Sequence, residues 1–581
     1  MTESATAQST THFDVLIVGA GVSGVGAACH LRRECPDKSF VILEGREHFG
    51  GTWDLFKFPG IRSDSDLYTY GYCFRPWQGK PIATAEEIKA YMAETMAEYS
   101  IDETILYGHC VDGVEWSSSE KVWVVAATEK ASGASKTFTC GFLWMNQGYF
   151  DYEAGYQPEF LGVEDFEGTF VHPQHWPEDL DYAGKKMVVI GSGATTVTII
   201  PAVAETVEHV TMLQRSPSYI FSAENRSPIA DLLEGLDLDE DLVHEIIRRR
   251  NLKDGEQIAW MAREQPEALR KELMDAVRAA LPEGYDIDKH FSPRYMPWEE
   301  RLCLIPDGDL FKAISSGKAS VVTDHVKTFT KHGILLESGG ELEADIIVSA
   351  TGLTLCPMGN IPFAVDGEAV DFSSTWTYKG IMYSDLPNLA WTFGYIRTSW
   401  TMRSDLIADF VCRLLKAMDE KGAASGTAEA SNARMPTSGG GCGGEAWVGA
   451  SPSRLAMASS DSPAAANTAS CGLASSAPSA SRIAVIGSGW RLDSLERSAR
   501  GWAEPHRRTT RARTGTSCAT CGARDASTSS FESSASSSRR KPPLRNEASR
   551  CSSCAWRSAS SLRWRWVKEA RAGAMSVGVL R

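Results

Sequence analysis

Two clusters of glycine carry the first chemical signal in this chain. Gly19, Gly21 and Gly24, with Ser23 among them, follow the apolar run FDVLIV at 13–18. Gly191, Gly193, Ala194, Thr195 and Thr196 follow a second such run, KKMVVI, at 185–190. A glycine turn between a buried strand and a helix lets the backbone approach a pyrophosphate, and the helix N-terminus then faces the phosphates. Each cluster therefore predicts a dinucleotide site. The residue ending the next strand separates the two. FVILE places Glu44 twenty residues beyond Gly24, where a carboxylate accepts hydrogen bonds from a ribose diol. HVTMLQRSP places Arg215 in the corresponding position, followed by Ser216. A guanidinium there suits a ribose 2′-phosphate, so the second unit is expected to take NADPH over NADH. One position departs from the usual pattern. Thr196 stands where a third small residue is expected, and its β-branched side chain predicts looser helix–strand packing and weaker cofactor binding.

Strand, glycine turn, helix and strand, met twice, predict an α/β chain with two Rossmann-like dinucleotide-binding domains. The first is expected over 1–150 and again over 351–423, the second over 181–350, with 151–180 as the linker between them. In the first domain the pattern predicts a helix over 84–98, opened by Thr84 with Glu87 three residues on, a capping-box arrangement. Strands are expected near 104–116, 121–127 and 136–146, the last returning to the first sheet at Gln147–Gly148. Residues 226–290 alternate charged and apolar residues at helical spacing and read as a helical insertion, shaping a substrate tunnel roof. Its run Arg248–Arg250 reads as a solvated helix face. Trp391, Tyr395 and Trp400 are either a wall of the substrate site or core aromatics of the returning segment.

Between the two glycine units lies FEGTFVHPQHWP, residues 166–177. Phe166, Gly168, His172, Trp176 and Pro177 fit F-x-G-x-x-x-H-x-x-x-W-P without a gap. The stretch resembles the fingerprint of the Baeyer–Villiger monooxygenases. GGTWDLFKFPGIRSD at 50–64 fits a second pattern of the same family. Within it, residues 1–423 are most similar to the branch that activates thioamide pro-drugs. The resemblance implies FAD in the first unit and NADPH in the second. The implied reaction puts one oxygen atom of dioxygen into a ketone, giving an ester or lactone, or onto the sulfur of a thioether or thioamide. It also implies that Gly51, Thr52 and Trp53 run along the flavin, that Asp64 reaches the active site, and that Val111 offers backbone contacts to the adenine end. Arg301 takes the place of the arginine that stabilises negative charge on the activated oxygen, with Asp64 orienting it and Arg294 as the rival. Many relatives carry Lys just before that arginine; here the position is Glu300, which leaves more of the phosphate recognition to Arg215. His172 and Trp176 are implied to couple the two domains as NADPH moves.

Two related classes share the fold. An amine-hydroxylating flavin monooxygenase carries a different ending to the fingerprint. A flavin disulfide reductase needs a cysteine pair soon after the first glycine unit, and 44–70 holds no cysteine. A non-catalytic FAD- and NADPH-binding protein is the alternative of another kind.

Composition divides the chain near residue 424. The formal charge of −15 hides 22 Lys+Arg against 10 Asp+Glu from 424 to 581. Residues 1–423 are therefore strongly acidic, which argues against a nucleic-acid partner and points to a small-molecule substrate. No run approaches the ~20 apolar residues of a membrane span, and the short first apolar run reads as a strand. Eight scattered body cysteines suit a reducing cytoplasm. The tail, 424–581, is rich in Ser, Ala, Gly and Arg, and is expected to be disordered. Its composition fits translation in a shifted frame of a GC-rich gene. IAVIGSGW at 483–490 lacks a third glycine, and the pairs Cys518–Cys521 and Cys551–Cys554 are spaced too widely for common zinc patterns. No metal site is expected.

Overall fold

The computed structural model describes residues 10–300, 302–395 and 397–429, and the backbone of Arg454–Ser459. In the first domain, Thr11–Val18 runs parallel to Phe40–Leu43 on one side and to Ala134–Met145 on the other. Phe40–Leu43 is buried at every position, as a strand covered on both faces requires. Val122–Glu129 and His109–Ser117 continue the sheet as an antiparallel meander, and Leu389–Trp391 adds to it from the returning segment. Trp116, Trp123 and Trp144 are fully buried around this meander. Glu87 N–H donates to Thr84 Oγ1 (3.2 Å) and Thr84 N–H to Glu87 Oε2 (2.8 Å), so the predicted capping box opens the helix Ala85–Glu98. The strand expected over 104–116 divides instead. Ile105–Leu106 pairs with Phe40–Leu43, and Gly108, at φ +67°, turns the chain into His109–Ser117.

The first glycine turn leads into the helix Val22–Glu34, which lies along the closing helix Trp400–Lys421. Trp400 Nε1 donates to Ser23 Oγ (2.8 Å), His30 Nε2 and Asp405 Oδ1 lie 3.2 Å apart, and Lys416 Nζ donates to Glu34 Oε2 (2.9 Å). The two helices thus join the first and last parts of the domain.

The second sheet is parallel throughout, in the order Ala319–Thr323, His209–Gln214, Lys186–Ile190, Ile346–Ser349, Thr169–Val171. Its centre is dry: Ile346, Ile347 and Val348 are 0 % exposed, each worth about 1.5–3 kcal/mol of burial. This sheet corrects the expected linker. Thr169–Val171 belongs to the fingerprint stretch, yet it hydrogen-bonds into the second domain as an edge strand. Gly168 permits the approach, since a Cβ there would lie 2.4 Å from Asp345 O.

The insertion forms the helices Pro228–Leu233, Glu240–Glu264 and Pro266–Ala280. Arg249 and Arg250 lie on the expected solvated face, in exposed ion pairs with Glu245 and Asp254. Arg248 does not. Its Nη1 donates to the carbonyls of Tyr68 (2.8 Å), Thr69 (3.2 Å) and Gly71 (3.2 Å) in the first domain. Asn251 to Asp66 and Trp77 N–H to His244 Nδ1 extend this clamp. Helical periodicity gave no sign that one arginine of three turns inward. The ordered chain also runs past the expected boundary at 423. Ala423–Glu429 pairs with Arg454–Ser459, and Asn388 bonds to Gly426 N–H and Ala424 O. Residues 430–453 and 460–581, including IAVIGSGW and the cysteine pairs, lie outside the described residues. No described helix is long and apolar enough to cross a membrane.

Candidate active site

The first glycine turn is built to extreme closeness. Gly19 sits at φ +99°, and a Cβ on Gly24 would lie 1.9 Å from Gly19 O. No side chain fits there, so the helix begins directly against the turn. Glu44, at the strand end, is 7 % exposed. Its Oε2 accepts from Ala20 N–H (2.7 Å) and its Oε1 from Arg46 N–H (2.9 Å), while burial pushes its carboxyl up. The carboxylate therefore braces the glycine turn. Val111 lies near the start of His109–Ser117, where the register of its ladder with Val122–Glu129 shifts.

The second flavin pattern folds over that turn. Gly50 N–H donates to Ala20 O (3.0 Å), and Gly51, at φ +54°, packs so closely that a Cβ on it would lie 3.1 Å from Gly21 Cα. Thr52 bonds to the Tyr152 hydroxyl, and Trp53 Nε1 donates to Tyr70 O–H (2.9 Å). A group that sequence reasoning missed holds this loop. Asp54, 2 % exposed, takes Arg46 Nη2 at 2.7 Å and Lys89 Nζ at 2.5 Å. Burial works against its carboxylate, but those two cations hold it below the ordinary range. The signal lay in the sequence, an acid beside the pattern's Trp, but its partners are remote in the chain. Asp64 is half-buried and is not the cap of the next helical turn; Asp66 takes that place, accepting from Thr69 N–H (3.0 Å).

The residues facing these loops fit a large polar aromatic cofactor. Among the described residues, Asn146 Oδ1 and both side-chain polar atoms of Gln147 are buried without a partner, and Trp391 Nε1 is likewise unpaired. Tyr149 stacks on Trp400 at 5.1 Å, giving a flat aromatic wall beside Ser23. Unpaired buried polar groups beside a glycine cradle are the donor and acceptor set that FAD needs. Of the three aromatics named in the returning segment, Trp400 and Trp391 line this region, while Tyr395 lies under Arg403 at 5.7 Å.

In the second unit, Gly191 sits at φ +141°, and a Cβ there would meet Ala350 O at 2.4 Å. Gly193 faces open space, as backbone approach to a phosphate requires. Ser192 Oγ donates to Ser216 O (3.2 Å) and meets Ser218 Oγ at 2.9 Å, fixing the turn to the loop that carries Arg215. Arg215 is exposed and makes no ion pair among the described residues. Ala194 and Thr195 open the helix, and Thr196 is fully buried with its hydroxyl unpaired.

The fingerprint joins the two units. Phe166 packs edge-on to Phe329, Trp176 is buried in the second core, and Pro177 is exposed at its end. His172 Nδ1 accepts from Gln174 N–H (3.2 Å), so Nε2 carries the proton donated to Gly352 O (3.2 Å). Burial pulls its pKa down, which keeps the ring neutral and the latch intact at neutral pH. His172 shares a cavity of about 30 Å³ with Phe56, Phe58, Thr195 and Gly352. Flavin loop, second glycine turn and fingerprint therefore meet at one point. Arg301 lies outside the described residues, and its rival Arg294 is exposed, as is Glu300.

A family model, NAD(P)-binding Rossmann-like domain, matches residues 17–81. The chain is 50 % identical over 416 residues to the putative FAD-containing monooxygenase MymA of Mycobacterium tuberculosis, covering 71 % of this chain and 84 % of that protein. It is likewise 50 % identical over 415 residues to the FAD-containing monooxygenase EthA of the same species, with the same coverage. The chain belongs to the FAD-containing monooxygenases. Among solved structures, cyclohexanone monooxygenase in an open form matches with a TM-score of 0.60 at 19 % identity, over 72 % of this chain and 90 % of that one. Oxidized steroid monooxygenase bound to NADP matches with a TM-score of 0.59 at 21 % identity, over 72 % and 88 %. These likenesses establish the fold, that of the Baeyer–Villiger monooxygenases.

Proposed function

We propose that this monooxygenase uses NADPH and FAD to insert one oxygen atom of dioxygen beside a ketone carbonyl, giving an ester or lactone. The same site oxygenates the sulfur of thioethers and thioamides. One observation carries the reading: the neutral, latched His172 shares a cavity with the flavin loop and the second glycine turn. Hydride transfer between two dinucleotides must bring those segments together.

When bound, FAD supplies the redox chemistry with dioxygen, and NADPH supplies its electrons. The chain's residues bind, orient and exclude water. Ser23 and the turn Gly19–Gly24 receive the FAD pyrophosphate, and Glu44 the ribose. Asn146 and Gln147 offer the unpaired polar atoms that a flavin ring would satisfy. Arg215 pairs with the 2′-phosphate of NADPH, being exposed and without an ion pair among the described residues. Arg301 supplies a fixed cation where negative charge develops on oxygen, and Asp64 orients it. The substrate is a small apolar ketone or sulfur compound met in the cytoplasm.

NADPH oxidation with and without a panel of ketones, sulfides and amines, followed by product analysis, tests this reading. Products from ketones support it. Products from amines or sulfides alone favour an amine- or sulfur-specific flavin monooxygenase, and NADPH oxidation that no substrate changes favours a non-catalytic binding protein. Arg301→Ala should stay yellow and still consume NADPH, yet make no ester; an ester yield near the parental one removes Arg301 from its role.

A further inference from the structure

The flavin loop is held from both sides near its end. In the first domain, Ser63 N–H donates to Ala83 O (2.8 Å) and Ala85 N–H to Ile61 O (3.1 Å), which pins residues 61–63 to the head of the helix Ala85–Glu98. In the second domain, Phe58 is buried in the core that holds Val197 and Ile200. Gly60, at φ +76°, lies so close to the helix Ala194–Val203 that a Cβ on it would stand 2.7 Å from Ala202 Cβ and 3.1 Å from Thr198 O. Arg62 stands between these two attachments, and its Nη1 donates to Asp309 Oδ2 at 2.6 Å. Asp309 opens the helix Asp309–Ser315, whose Leu310 and Ile314 lie in the same core as Val197 and Ile200. Beside the pair, Ile82 N–H donates to Asn225 Oδ1 (2.7 Å) and Asn225 Nδ2 to Ile82 O (3.0 Å), while Asn225 N–H donates to Asp307 Oδ1 (2.9 Å).

We propose that Arg62 and Asp309 are positioning residues for the reduction of the flavin by NADPH: their ion pair sets where the flavin loop stands against the second glycine helix. The inference rests on the FAD- and NADPH-dependent reading above, and it assigns the relative placement of the two cofactors to a named pair. Apolar contact at Phe58 and Gly60 brings the two surfaces together but leaves them free to slide. A hydrogen-bonded ion pair depends on both distance and direction, so it fixes the register of that contact.

The surroundings of the pair favour placement over stability. The two side chains are 16 % and 25 % exposed, so both charges are largely withdrawn from water. Desolvation offsets most of the attraction in such a pair, and replacing both charges together costs little stability. Removing one alone leaves the other uncompensated, which costs far more. Both partners are also anchored. Arg62 lies between two backbone bonds to residues 83–85, Asp309 heads a helix, and Asp54 with Arg46 and Lys89 holds the start of the same loop. A change at the pair therefore moves the loop as a body against the second domain. A displacement of about 1 Å between reacting groups can lower a rate by about 100-fold.

The test compares the full-length, flavin-loaded protein with two variants, Arg62→Lys and the double variant Arg62→Gln with Asp309→Asn. Flavin reduction by NADPH is followed in a stopped-flow spectrometer without oxygen, and NADP⁺ binding by the change it causes in the flavin absorption spectrum. The double variant leaves neither charge unpaired, so it should keep the parental flavin content and melting temperature and a near-parental NADP⁺ dissociation constant. Its limiting rate of reduction should fall about tenfold, and the amplitude of the spectral change should shrink with it. Arg62→Lys keeps the charge and should recover most of the rate. A double variant that reduces its flavin at the parental limiting rate overturns the proposal, as does a loss confined to NADP⁺ affinity or an Arg62→Lys protein no faster than the double variant. A parental protein whose flavin NADPH does not reduce overturns the reading beneath the proposal, and that result precedes any variant.

Discussion

The two glycine units share a plan and differ in tightness. In the first, a Cβ on Gly24 would lie 1.9 Å from Gly19 O, so the helix touches the turn. In the second, the same place holds Thr196, and a Cβ on Gly191 would lie 2.8 Å from its hydroxyl oxygen. That helix stands back far enough to admit a β-branched residue. The strand ends repeat the contrast. Glu44 is 7 % exposed and both its oxygens bind the backbone, whereas Arg215 is exposed and unpaired among the described residues. Rigid, bonded groups lose little on binding, and free side chains lose more. The expectation from this contrast is that the first unit retains its dinucleotide and the second exchanges one.

The sharpest way to break this contrast is Gly24→Ala. The added methyl carbon would overlap a carbonyl oxygen that cannot move without undoing the turn. The cost should exceed about 3 kcal/mol, the upper end for overpacking. The variant should emerge colourless from gel filtration while its second unit still folds. A yellow Gly24→Ala protein would show that the first turn is not as tight as the contrast requires.

Arg215→Ala tests the other side. Losing one charge-assisted contact should cost ~2–3 kcal/mol of NADPH binding and leave NADH nearly unchanged. The ratio of Michaelis constants for the two cofactors reads this directly. Equal effects on both would remove Arg215 from the 2′-phosphate role.

Much of this contrast was legible in the sequence because its causes are local. The glycine spacings, the strand-end acid and arginine, and the Thr84–Glu87 capping box each lie within a few residues or one strand–helix unit. The unread features come from pairings between remote segments. Asp54 meets Lys89 from another helix, Arg248 meets carbonyls at 68–71, and Thr169–Val171 completes a sheet whose neighbour is Ile346–Ser349. Periodicity reports which face of an element is apolar; it does not report which partner that face meets. The charge run Arg248–Arg250 shows the limit, since its members are alike in sequence and differ only in what lies opposite.

Acid should separate the units further. His172 and His290, both tied to the second domain, have pKa values lowered by burial from the ordinary 6.5. A depressed histidine stabilises the fold above its unfolded pKa, and that stability is lost as pH falls through the folded value. Asp54, in the first unit, is lowered from 3.8 and keeps its contribution until far stronger acid. As pH falls below about 6.5, the melting temperature and its increase with NADP⁺ should both fall while flavin stays bound. Flavin lost before the NADP⁺ effect would reverse the order that the contrast predicts.

The smallest effect should come from Thr196→Ala, and its sign is the informative part. Thr196 is 0 % exposed and its hydroxyl has no partner among the described residues. An unsatisfied buried hydroxyl costs about 1–3 kcal/mol, and removing it recovers that. Losing the neighbouring methyl costs about 1 kcal/mol of burial. The balance favours alanine slightly, so the melting temperature should rise by a few degrees and NADPH should bind as well or a little better. Thr196→Val separates the two terms, since it removes the hydroxyl and keeps the volume. If valine stabilises as much as alanine, the unpaired hydroxyl is the defect. If alanine alone helps, crowding against Gly191 is what holds the second helix back. If both destabilise, the hydroxyl has a partner when the dinucleotide is bound, and the looser second turn is an adaptation to that contact.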